Sequence, residues 1–191
     1  HWLADRTSQS GGRLRWVMLP SLHNIDKAIE EMRWAKDHGA IGVLKKGDEE
    51  AGYWPAEPYF YPFYEEAEKL EMPICFHVGS GYAGSMPLER INNMTLHKFH
   101  MSNMSAFHAL ITFHVTEMFP KLRWGFMEIT ASWVPYALYY MRRILAKSVG
   151  RASAISSVAG STTYEVPDDV LVRNHMYVAC FVDEDLPHIL K

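Results

Sequence analysis

A chain of 191 residues is long enough to bury one sizeable hydrophobic core. Apolar residues make up 48% and charged residues 21%, a globular balance that argues against disorder. The net charge of -3 gives no broad electrostatic reason for nucleic acid or an anionic membrane surface as partner. No apolar run approaches the roughly 18 residues that a membrane-spanning helix needs.

The opening stretch His1–Trp16 has no apolar signal core and no starting Met, which suggests processing, cloning or truncation. Residues 1–9 read as the end of a helix that Gly11 and Gly12 break. Leu14 to Pro20 is a short apolar run bounded by turn residues, hence a buried strand. Asn24 is placed to cap the helix Ile25–Gly39, whose Ile25, Ala28, Ile29, Met32 and Ala35 repeat at helical spacing. Ala40 to Lys46 is the next strand, followed by a polar and aromatic loop and a helix over Phe63–Met72. Pro73 to Gly79 reads as a third strand, and a loop with Gly79, Gly81, Gly84 and Pro87 leads into helical material between Leu88 and Phe119. Lys121 to Ile129 is a fourth strand and Ser132–Val149 the helix after it, with Ser132 as its expected cap. A Ser/Gly/Thr loop at 151–163 precedes the last strand, His175 to Phe181, and Asp183 or Glu184 is placed to start one more helix.

Near-continuous apolar strands that alternate with amphipathic helices mean a parallel sheet covered by helices. An open doubly wound sheet and a closed barrel both fit. No glycine-rich phosphate loop follows any strand, which weakens the dinucleotide-binding variant of the open sheet. Chemistry-bearing residues gather at C-terminal strand ends, where barrels place their sites. A full barrel has eight strands and about 250 residues, so about five β-α units form an incomplete one.

His77 ends an apolar strand just before a glycine loop, the position of a ligand-binding imidazole at a barrel mouth. Glu128 sits near the end of another apolar strand, where a carboxylate needs a partner or a metal. Lys45 and Lys46 end the strand before His77 and could contact an anionic substrate group, but alternation lets only one of them point into the barrel. Tyr53, Trp54, Tyr59, Phe60 and Tyr61 form an aromatic loop that reads either as a hydrophobic lid or subunit contact, or as a wall around an aromatic substrate. His97, His100, His108 and His114 lie in helical material without an interleaved carboxylate and read as structural or substrate-lining. Cys75 and Cys180 lie inside apolar runs, which fits reduced, buried thiols in a cytoplasmic protein, and the lack of a CxxC pair excludes a zinc ribbon.

The stretches MPICFHVGSG, FPKLRWGFMEITASWVPYALYYMRR and MYVACFVDEDLP resemble the amidohydrolase superfamily, in particular the branch of aminocarboxymuconate-semialdehyde decarboxylase-like enzymes. The resemblance implies one (β/α)8 barrel domain over 1–191, without its first two strands and its last, so that the visible strands are three to seven. It implies a divalent metal, zinc first and iron or manganese next, with His77 as the fifth-strand ligand. Glu128 stands where a sixth-strand histidine is usual, which makes it a ligand or an acid/base. Lys45, Lys46, Trp54 and Trp133 are the expected substrate contacts. The expected activity is hydrolysis of a C–N or ester-type bond in a small aromatic or anionic substrate, with non-oxidative decarboxylation as the alternative. The family's H-x-H pair is absent from the sequence, which also leaves open a non-catalytic fragment or scaffold. The aromatic loop is compatible with a homodimer.

Overall fold

A computed structural model of the protein describes residues 2–77, 100–148 and 166–190. Five strands, β1 (Trp16–Met18), β2 (Ala40–Lys46), β3 (Ile74–His77), β4 (Trp124–Phe126) and β5 (Met176–Val178), pair in parallel in the order β1-β2-β3-β4-β5. Sheet order follows chain order without reversal. A doubly wound sheet reverses its order at a switch point, so the sequential arc is the barrel solution of the two that the sequence allows. Right-handed crossovers repeated in one direction put the helices on one face.

The helices are α1 (Trp2–Ser8), α2 (Ile25–Asp37), α3 (Tyr61–Lys69), α4 (Ser102–Thr112), α5 (Val115–Met118), α6 (Val134–Ser148), α7 (Val170–Arg173) and α8 (Leu186–Ile189). Asn24 caps α2 as its sequence predicts, its side-chain oxygen accepting the Lys27 N–H at 3.0 Å. Ala28, Met32 and Ala35 form the buried stripe of that helix. Gly39, at φ 86, turns the chain straight into β2. The cap of α6 departs from expectation: the helix begins at Val134, and Ser132 gives its hydroxyl to Glu184. The helix after β5 is capped by Asp185, whose side chain accepts the His188 N–H, and not by Asp183 or Glu184. The loop after His77, His97 and the 151–163 segment lie outside the described residues.

Between sheet and helices lies an aromatic core. Phe76 stacks on Trp124 and Phe126, with centroids 6.3 and 5.3 Å apart. Tyr64 of α3 meets Trp124 edge-on at 5.0 Å, and Phe107 of α4 meets Phe126 at 5.3 Å. All of these rings are fully buried, which identifies the Phe76 side of the sheet as the helix-covered side. Cys180 is exposed rather than buried, and Cys75 is half-buried, its thiol pushed up by burial against the opposing effect of Arg123. Among the described residues no helix is long and apolar enough to cross a membrane.

Candidate active site

Side chains alternate along a strand, so residues paired in register across parallel strands share a face. Lys45 is in register with Phe76, and Lys46 with His77. Lys45 therefore points with Phe76 into the helical layer. It is fully buried there, its Nζ 2.7 Å from Glu50 Oε2 and 4.1 Å from the centroid of the Phe60 ring. Burial lowers its pKa, and the Glu50 carboxylate opposes that shift. Lys46 takes the opposite face with His77, so of the two lysines it is the one on the inner side of the arc. Its Nζ lies 3.3 Å from Asp48 Oδ1, a charge contact without the alignment of a hydrogen bond. Asp48 is buried, and burial pushes its carboxyl upward against the effect of Lys46.

His77 and Glu128 meet. His77 Nε2 is 3.0 Å from Glu128 Oε2, and the two side chains retain 31% and 59% of their exposure, so the pair faces open space. Glu128 reaches this position from a turn. Strand β4 stops at Phe126, sooner than the apolar pattern through Ile129 suggests, and Glu128 (φ 60) and Thr130 (φ 58) both adopt left-handed backbone. Such residues cost about 1 kcal/mol or more each and persist where surrounding contacts enforce them.

Sequence reasoning missed a carboxylate bound just beyond this turn. Glu184, in the loop after β5, receives four donors. Its Oε1 accepts the Ala131 N–H (2.7 Å), the Ser132 N–H (2.7 Å) and the Ser132 hydroxyl (2.6 Å), while its Oε2 accepts the Phe181 N–H (2.7 Å). Desolvation pushes this carboxyl up, but Ser132 and the three backbone N–H groups outweigh it and hold it at about 2. An acidic residue just past a strand end was the available signal.

The two tryptophans lie elsewhere. Trp133 is buried against Phe107, with centroids 5.0 Å apart, and its Nε1–H donates to Thr130 O at 2.9 Å; it is a core residue of the helical layer. Trp54 lines a groove of about 1000 Å³ together with Tyr61, Ala106, Phe113 and Met118. That groove lies among the helices, and neither His77, Glu128 nor Lys46 lines it. The aromatic loop is mostly structural: Phe60 is fully buried, Tyr59 and Tyr61 donate to Leu22 O and Ala56 O, and Tyr53 stacks on Tyr59 at 4.1 Å.

A His nitrogen beside a carboxylate suits a divalent ion of the zinc or manganese kind. With Nε2–H donated to Glu128, a neutral His77 ring keeps its lone pair on Nδ1, the arrangement of a metal-binding histidine oriented by a carboxylate. Among the described residues no three His, Cys, Asp or Glu converge into a metal cluster.

The amidohydrolase family model matches residues 1–159. The chain belongs to the amidohydrolase family. The amidohydrolase fold is found again in solved structures. 5-Carboxyvanillate decarboxylase from Novosphingobium aromaticivorans, in complex with manganese and 4-hydroxy-3-methoxy-5-nitrobenzoic acid, matches with a TM-score of 0.75 at 15% identity over 94% of this chain and 50% of that one. The 5-carboxyvanillate decarboxylase of Sphingomonas paucimobilis matches with a TM-score of 0.75 at 13% identity over 93% and 51%. The 2,6-dihydroxybenzoate decarboxylase of Rhizobium matches with a TM-score of 0.62 at 18% identity over 93% and 55%. This amidohydrolase chain thus spans about half the length of the structures that it matches. A comparison with curated proteins finds no match.

Proposed function

We propose that this chain is the half of a metal-dependent, non-oxidative aromatic-acid decarboxylase that carries the His77–Glu128 pair. The observation that carries the reading is that pair, 3.0 Å apart at the ends of adjacent strands on the face away from the helices. Decarboxylation is preferred to hydrolysis, the first expectation from the sequence, because decarboxylases of hydroxylated benzoates recur among the matching folds.

In this reading His77 offers Nδ1 to a divalent ion. Glu128 fixes the ring by taking Nε2–H. A divalent ion held there would supply Lewis-acid stabilisation of negative charge on an acidic substrate. Lys46, partly exposed on the same face, attracts the anionic substrate, and Asp48 keeps the ammonium at the strand end. Overall the substrate loses its carboxylate as CO2, and the ring carbon left behind takes up a proton. Glu128, open to the lumen, is placed to relay that proton.

The test is metal content. Manganese-loaded protein should carry less metal in the His77→Ala variant, and losing a ligand should cost at least the roughly 10-fold in affinity that losing a ligand's orienting partner costs. Unchanged stoichiometry and affinity in that variant would remove His77 from the site.

A further inference from the structure

We infer that Glu184 is a positioning residue: it fixes the turn that carries Glu128, and through that turn the orientation of His77. The inference rests on the reading of His77 and Glu128 as the site.

Glu184 belongs to the loop after β5, yet it makes no use of the helix that follows, because Asp185 caps that helix. Its carboxylate instead reaches to the neighbouring unit. Three donors come from Ala131 and Ser132, immediately after the turn that holds Glu128 and Thr130 in left-handed backbone. The fourth comes from Phe181, in the same loop after β5. One carboxylate therefore ties the loop after β4 to the loop after β5 at the rim where the His77–Glu128 pair lies. Trp133 Nε1–H closes the same turn from the other side on Thr130 O. Glu128 itself is well exposed, so few contacts of its own hold its side chain in place. The backbone turn sets where it points, and Glu184 sets the turn. An exposed surface pair has no need of such a device, whereas a carboxylate that must present one oxygen to one imidazole nitrogen does.

The measurement is the imidazole 1H–15N spectrum of the full chain, recorded for wild type, Glu128→Gln, Glu184→Gln and the double variant E128Q/E184Q. Glu184→Gln keeps the shape but removes the charge and puts an amide NH2 where Oε2 accepts the Phe181 N–H, so the clamp is weakened. The His77 signals in Glu184→Gln should shift toward their position in Glu128→Gln. The double variant should coincide with Glu128→Gln at His77, because a residue acting through Glu128 adds nothing once Glu128 is altered. The signals of His38, which stacks on Trp34 at 4.0 Å in another unit, should stay in place. If Glu184→Gln does not fold, Ser132→Ala replaces it. That change removes one donor and leaves the carboxylate, and it should give a smaller shift of His77 in the same direction. Unmoved His77 signals in a folded variant would overturn the inference. So would a double variant that moves beyond Glu128→Gln, or a parallel shift of His38 that marks general loosening. No substrate or metal enters the experiment, so a failed decarboxylation assay leaves its result standing.

Discussion

Lys46 and His77 are partners in register across β2 and β3, and both turn away from the buried face that Lys45 and Phe76 share. Two adjacent lysines thereby acquire different jobs. Lys45 is a buried cation held between Glu50 and the face of Phe60, and Lys46 is a half-exposed cation beside the candidate site.

Lys45→Ala should destabilise the fold by about 3 kcal/mol, because it strands Glu50 and opens a cavity beneath Phe60. Lys46→Met should cost less, since its ammonium keeps contact with water and Asp48 can take up a proton in its absence. Urea unfolding of the two variants measures the difference. A larger loss for Lys46→Met would reverse the assignment of the faces.

Gly47 is the hinge between β2 and the loop that leads to Asp48 and Glu50. A Cβ at this position would stand 2.7 Å from Asn103 Cα and 2.9 Å from Asn103 N, so the strand end touches the start of α4 backbone to backbone. Gly47→Ala should cost about 1–3 kcal/mol by overpacking, read as a lower urea midpoint at unchanged slope. A neutral effect would mean that α4 can shift freely against β2.

Much of this was legible in the residues. The alternation of apolar strands with amphipathic helices is carried by side chains that are either in the core or not, so β2, β3 and α2 were found nearly to the residue. The site was harder, because faces and turns depend on partners distant in sequence. Period-2 alternation separates Lys45 from Lys46 but does not say which side the helices cover; the register with Phe76 and the rings of Tyr64 and Phe107 decide it. Trp133, a substrate contact expected from the resemblance, is buried against Phe107 in the helical layer, a position that only the packing reveals. The sequence offers Asp183 or Glu184 as a helix start, a role that local pattern alone can suggest. Three of the four donors to Glu184 lie more than fifty residues earlier in the chain.

The Glu184 clamp has a pH signature. Its carboxyl titrates at about 2 in the folded chain against an ordinary 4.5, so the folded state favours the charged form. A depressed folded pKa contributes stability that is present above pH 4.5 and lost as pH falls through about 2. Glu184→Gln should therefore be less stable than wild type near neutral pH, and the gap should close between pH 4.5 and about 2. Urea midpoints of both proteins across that range test this, and a gap of constant size would show that the carboxylate charge is not what holds the loops.

The most direct measurement is release of CO2 from hydroxylated benzoates by the manganese-loaded enzyme that contains this chain, in parallel with its His77→Ala variant. Stoichiometric CO2 and the decarboxylated phenol are expected from the parent, with a rate reduced at least about tenfold in the variant. Hydrolysis of aryl esters or amides without CO2 from any such acid, or CO2 release that survives the loss of His77, would contradict the decarboxylase reading.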